Sequence, residues 1–190
     1  MIDTDRCAEP LLAWDHEPTA PTKASQLTVS RCPVPYARHL NERWHSRLPR
    51  TQVGPWQFAF HAHFDHVTYA VALWHNPSAR TLPGHWLELR RMAVAPDAPH
   101  CTASRMLGQM TKWFRANHPE RERLISYQDT AVHRGTIYLA AGWEPTHTSV
   151  ARTRNRSIPR AGTGRAYRSN QNGDSVDSTS KVRWEVGIAA

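Results

Sequence analysis

Long apolar runs are missing from this sequence. No stretch of about 18 apolar residues occurs, which excludes a transmembrane helix. The acidic start (Asp3, Asp5, Glu9) lacks the basic-then-apolar pattern of an export signal. Cysteine is scarce and odd in number. Cys7, Cys32 and Cys101 stand apart with no C-x-x-C spacing, so disulfides and a zinc knuckle are disfavoured and reduced thiols in a cytoplasm are expected. Lysine is nearly absent: Lys23, Lys112 and Lys181 are 3 of the 24 basic residues, and the other 21 are Arg. The net charge is +8, which suits a polyanionic partner, and the guanidinium fork is the better match to phosphates and base edges. A GC-rich genome would enrich Arg codons without any such partner, and composition does not separate the two readings.

What is present organises into one domain with tails. Residues 1–25 are rich in Pro, Thr, Ala and acidic residues without periodicity, and are expected to be a disordered leader. "QLTVS" (26–30) reads as a strand. "PVPYARHLNERWHSRLP" reads as a helix opened by Pro35 and stopped by Pro49, with Tyr36, Leu40, Trp44 and Leu48 on one face. Residues 56–74 alternate as a hairpin, and 85–94 as a further strand. A loop then leads into a helix from about Ala103 to Asn117. "RLISY" is a strand, "GTIYLAA" a short helix ended by Gly142, and "WEPTHTSVA" a last strand of the body. From Arg152 the chain turns Arg-, Gly-, Ser- and Asn-rich. Residues 151–190 hold eight basic and three acidic side chains, a net +5, before a short strand at Lys181–Val186. The expected division is therefore 1–25, 26–151 and 152–190.

The order β-α-β-β-β-α-β-α-β gives a mixed sheet with helices on its faces, and it resembles the GNAT acyltransferase fold. Three segments resemble something narrower. "ELRRMAVAPDAPHCTASRMLG" (88–108), "SYQDTAVHRGTIYLAAGW" (126–143) and "KVRWE" (181–185) are similar to the phage Mom family, GNAT-like proteins that modify adenine in DNA. That resemblance implies transfer of a methylcarbamoyl group to the adenine N6 amine, which shields a phage genome from restriction nucleases. It also implies the cytoplasm of a host cell, double-stranded DNA as partner, and functional positions at Arg91, Ser104, Asp129 and Tyr138.

The residues themselves carry part of this reading. Arg91 shares alternation with Leu87 and Leu89, so it should point its guanidinium into an apolar face, where it needs a carboxylate or a ligand phosphate. Thr102 and Ser104 stand where a helix N-terminus could hold a donor, or could merely cap the helix. The loop before them has no glycine until Gly108 and departs from the glycine-bearing loop of GNAT acetyltransferases, which argues against acetyl-CoA and leaves a related acyl or amino-acyl donor open. "ISYQD" breaks from apolar strand to polar residues, the pattern of a strand end that meets a ligand. Asp129 there could accept a proton from a weakly nucleophilic amine. Tyr138 lies in a run that resembles the Y-x-x-x-G-[FW] of GNAT enzymes, which implies a Tyr that protonates the leaving group; by its helical spacing it could simply fill the core. Tyr127, His133 and Arg134 are candidate base or phosphate contacts, joined by Arg152, Arg154, Arg156 and Arg160 from the basic tail.

"HAHFDH" (61–66) supplies metal-ligand residue types, but it falls at a hairpin turn and matches no specified zinc spacing; no metal is expected. His45, at the end of the first helix, is either a substrate contact or a partner of the helix dipole. The expected function is adenine N6 modification of DNA. An acetyl-CoA-dependent N-acetyltransferase acting on a small amine or protein, and a non-catalytic DNA-binding module, are the competing readings.

Overall fold

The computed structural model describes residues 20–46, 48–51, 55–149 and 179–188. The expected contacts at Arg152, Arg154, Arg156 and Arg160 lie outside the described residues, as does most of the expected leader. Its last residues do not read as disordered: a 3-10 turn at Ala24–Gln26 buries Ala24, and the Gln26 side chain accepts from the Thr22 and Lys23 amides.

Seven strands form one sheet, β1 (Thr28–Arg31), β2 (Phe58–Phe64), β3 (Val67–His75), β4 (Leu87–Val94), β5 (Arg123–Asp129), β6 (Glu144–Ser149) and β7 (Lys181–Gly187), in the order β1-β2-β3-β4-β5-β7-β6. Among the described residues, three α-helices accompany the sheet, α1 (Val34–Trp44), α2 (Thr102–Asn117) and α3 (Thr136–Ala140). The strand at the chain's end is no appendage. β7 lies between β5 and β6 and pairs with both, so the short strand expected at Lys181–Val186 is part of the sheet.

Alternation sends two sets of side chains to opposite faces. On one, Phe58, Phe60, Trp74, Leu87, Leu89 and Leu124 pack under Met106, Leu107, Met110 and Phe114 of α2. On the other, Ala59, Val71, Leu73 and Ala93 meet Ala37 and Leu40 of α1. α1 is shorter than Pro49 implied. It ends at Trp44 because buried Asn41 bonds the Leu48 and Pro49 carbonyls and turns the chain back. Leu48 consequently leaves the apolar face and is exposed.

Two features of β4 position the site. β4 and β5 are parallel and paired only from Leu87–Leu124 to Leu89–Ser126; beyond that point the strands run on as β4 and β5 without pairing, and the sheet opens. Immediately after Leu89 the register against β3 shifts by one residue, with Trp74 opposite Leu89 and Leu73 opposite Arg91. Arg90 is the extra residue of a bulge.

Candidate active site at the strand opening

The bulge reverses one expectation. With one residue inserted at Arg90, Arg91 shares a face with Leu73, on the α1 side, opposite to Leu87 and Leu89. There it is half-buried beside Arg90 and Glu88. Glu88 itself is fully buried and engaged by Arg90 at 2.9 Å and by the Ser78 amide at 2.8 Å. Arg91 makes one bond from its fork, to the Arg90 carbonyl at 2.8 Å. Its Nε is buried and, among the described residues, has no acceptor. Burial first, and then the neighbouring Arg90 charge, pushes the guanidinium down to about 10, with Glu88 opposing. A buried cationic donor left without an acceptor is costly unless a ligand supplies one.

His45 and His133 complete this cluster. His45 caps the C-terminus of α1 through its backbone, and its Nδ1 accepts the Leu48 amide at 3.3 Å. Burial, then Arg91 and His133, lowers its pKa. That shift disfavours the charged form a helix-dipole partner needs. His133 and Arg134 are exposed on the turn that follows Asp129. Asp129 Oδ1 accepts the Ala131 amide at 3.1 Å, and its carbonyl accepts the Val132 and His133 amides. Tyr127 and Asp129 face the same side of β5, and Tyr127 is half-buried against Arg183 of β7.

The opposite side of β5 holds Tyr138. Its hydroxyl lies 2.9 Å from Ser126 Oγ, and Ser126 Oγ donates to the Leu89 carbonyl at 3.2 Å. Because Ser126 spends its only proton on Leu89, the Tyr138 proton points at Ser126. This pair therefore sits where the parallel ladder stops and the bulge begins. Burial raises the Tyr138 pKa, the Ser126 bond offsetting part of it. The ring stacks on Trp184 with centroids 5.2 Å apart, and Trp184 Nε1 donates to Gln128 Oε1 at 2.7 Å. Gln128 in turn donates to the His133 carbonyl. Gly135 makes this packing possible. It has φ +76°, and a Cβ there would meet Trp184 at 2.5 Å and Gln128 at 2.6 Å. Tyr138 is thus a core residue that lies at the opening between β4 and β5. Ser126 and Gln128 were legible in the sequence as part of the polar break at "ISYQD", and Trp184 as the Trp inside "KVRWE", but none was given a role of its own.

Thr102 and Ser104 do not cap α2, contrary to the capping alternative. Cys101 is the N-cap residue, in left-handed backbone with φ 68°, and makes no side-chain cap bond. The Thr102 and Ser104 hydroxyls already lie inside the first turn and donate backward, to the Pro99 carbonyl at 2.7 Å and the Cys101 carbonyl at 3.0 Å. Buried Thr102 is structural. Ser104 lines a groove of about 400 Å³ between α2 and α3, with Cys101, Arg105, Gly108, Lys112, Ala140 and others. Space above Gly108 is open. Arg91, Asp129 and Tyr138 do not line that groove, so Arg91 and Ser104 are not brought together.

The tempting histidines have protein partners. His61 Nε2 meets Ser30 Oγ at 3.0 Å and its Nδ1 meets Thr68 Oγ1 at 3.0 Å. His63 Nε2 meets Ser30 Oγ at 3.2 Å and its Nδ1 meets the Asp65 carbonyl at 3.1 Å. Among the described residues, no group of three or more His, Cys, Asp or Glu side chains is placed to hold a metal ion. No helix among them is long and apolar enough to cross a membrane.

The fold is shared with known proteins. The profile of the Mom protein family matches residues 26–181. The chain belongs to the Mom family. No curated protein matches it significantly in sequence. Its fold is similar to the ribosomal-protein-S18-alanine N-acetyltransferase of Escherichia coli (TM-score 0.57, 12% identity, 86% of this chain and 95% of that one). It is also similar to a GNAT superfamily phosphinothricin acetyltransferase of Sinorhizobium meliloti solved with AcCoA (0.58, 12%, 86% and 89%), and to a Bacillus subtilis acetyltransferase solved with CoA (0.56, 8%, 85% and 98%). This Mom family chain has a GNAT-like fold.

Proposed function

We propose that this Mom family protein transfers a methylcarbamoyl-type group to the N6 amine of adenine in double-stranded DNA, in the cytoplasm of a host cell, protecting phage DNA from restriction. The observation that carries the reading is the family match across nearly the whole described body. The geometry supports it with a division of labour. The adenine amine is conjugated into its ring and nucleophilic only as its proton leaves, so Asp129, at the open end of β5, is the base. The Arg91 guanidinium, with its unmatched Nε, offers a donor to a developing or permanent anion. Tyr138 holds its proton against Ser126; it orients the reacting group while there, and must turn from Ser126 to act as an acid.

A CoA-type donor fits the groove. Arg105 and Lys112 supply cations, Gly108 leaves room, and the first-turn amides of Ala103 and Ser104 have no backbone acceptor among the described residues, a setting that favours anions. Such a donor, when bound, supplies an acyl group already activated as a thioester. These residues take the place of the glycines the loop lacks. The same groove is the specific support for a second reading, an N-acetyltransferase using acetyl-CoA on a small amine or protein.

Mass spectrometry of nucleosides from plasmid DNA co-expressed with the protein separates the two. The proposal expects a new, heavier deoxyadenosine that is absent with Asp129→Asn. Unmodified adenine together with saturable acetyl-CoA binding would favour the second reading.

A further inference from the structure

Three large apolar side chains are exposed among the described residues: Leu48 at 51%, Val132 at 43% and Leu139 at 60%. Scattered singly, such residues need no explanation. Two of them are not scattered. Leu48 is tied by its amide to His45, and Val132 immediately precedes His133; the charges of Arg91 and His133 both act on His45. Leu48 and Val132 therefore bracket one polar cluster.

Both tips are held rather than loose. Asn41, fully buried, bonds the Leu48 and Pro49 carbonyls at 3.3 and 3.0 Å. The Asp129 carbonyl takes the Val132 and His133 amides at 3.2 and 3.0 Å, and Thr130 is fastened to the Ser180 carbonyl through its amide and its hydroxyl. A tip fixed in advance pays little ordering entropy when it docks. Each is also followed two residues later by an exposed arginine, Arg50 after Leu48 and Arg134 after Val132. An apolar tip with a guanidinium beside it matches the alternation of stacked bases and phosphates in duplex DNA. Leu139 has no such companion: Ala140 and Ala141 follow it.

We infer that Val132 and Leu48 are apolar wedges that enter the base stack of double-stranded DNA and hold the target adenine extruded toward the His45–Arg91–His133 cluster, with Arg134 and Arg50 on the flanking phosphates. The inference rests on the adenine reading above and names the surface by which that site takes its substrate. N6 is reached in the transfer geometry only when the base leaves the stack, and the gap it leaves costs unstacking energy that a wedge recovers.

The test needs no group donor. The purified full chain is mixed with a long duplex of varied sequence in which 2-aminopurine replaces a fraction of the adenines; this base brightens when it unstacks. Binding is followed separately by anisotropy. The wild-type protein should raise the fluorescence. The Leu48→Ala/Val132→Ala double variant should lose most of that rise, about fivefold or more, while its affinity falls by less than about threefold, because phosphate contacts carry most of the binding. Val132→Leu should keep the rise, and Leu139→Ala should behave as wild type. The wedge is overturned if the wild type binds without brightening the duplex, if it does not bind, or if the double variant brightens it equally. Brightening without modified adenine in co-expressed plasmid would leave the wedge standing and refute the transfer. Modified adenine without brightening would do the reverse.

Discussion

Two histidine-bearing clusters lie on the α1 face of this sheet, and they are built on opposite principles. Around His61, each polar group has its partner. The Tyr36 hydroxyl donates to Thr68 at 2.8 Å, Thr68 meets His61, His61 and His63 share Ser30, and His63 ends on the Asp65 carbonyl. That carbonyl can only accept, so His63 Nδ1 carries the proton of this last bond. Around His45, burial and the charges of Arg91 and His133 lower the ring's pKa, and among the described residues Arg91 Nε has no acceptor. The first cluster is closed on protein partners, and the second leaves one donor unmatched among the described residues. The residue types alone would have pointed to the wrong one.

Stability measurements should sharpen the contrast. The largest loss is expected at Gly135, behind Tyr138, where the packing is as closed as at His61. Gly135→Ala combines a left-handed backbone with a clash on Trp184 and should cost about 3 kcal/mol or more, seen as a drop of roughly 10 °C in thermal unfolding. A drop of under 2 °C would mean that this wall yields.

His61 comes next. Burial, with His63 adding to it, pushes its pKa down from 6.5 to about 4. The folded state therefore binds fewer protons than the unfolded one between those values. The stability this contributes is present above pH 6.5 and is lost as the pH falls toward 4, by about 3 kcal/mol in all. Urea titrations across that window should show the decline in the wild type and a flatter curve for His61→Gln. Activity per folded molecule should not change in that variant; a specific loss of activity would break the distinction between the clusters.

Tyr138→Phe should cost about 1 kcal/mol, since Ser126 keeps its bond to Leu89. If the hydroxyl takes part in transfer, modification should fall about tenfold or more. An unaltered level of modified adenine would leave Tyr138 a core residue alone.

Much of this was legible before any coordinates. Helix and strand order followed from apolar periodicity, and the break at "ISYQD" marked the end of β5 where the sheet opens. Arg91 was found as a residue but placed on the wrong face, because a single bulged residue at Arg90 inverts the side of everything after it, and no propensity in "LELRRMAV" announces a bulge. The roles of Ser126, Gln128 and Trp184 stayed hidden for a different reason. Their importance lies in contacts across β4, β5, β7 and α3, between residues up to 56 positions apart, and neither period nor motif encodes those. Thr102 and Ser104 lay at the correct helix end, but the left-handed Cys101 moved the cap one residue earlier than their chemistry suggested.

The most direct test of the account is Arg91→Ala, with melting temperature and adenine modification of co-expressed plasmid measured on the same variant. If the guanidinium stands unmatched because its acceptor is a substrate or donor group, removing it relieves a buried cation: the melting temperature should stay within about 2 °C of wild type or rise, while modified adenine falls about a hundredfold. A melting temperature lower by 8 °C or so, with modification per folded molecule intact, would make Arg91 a structural residue and contradict the account.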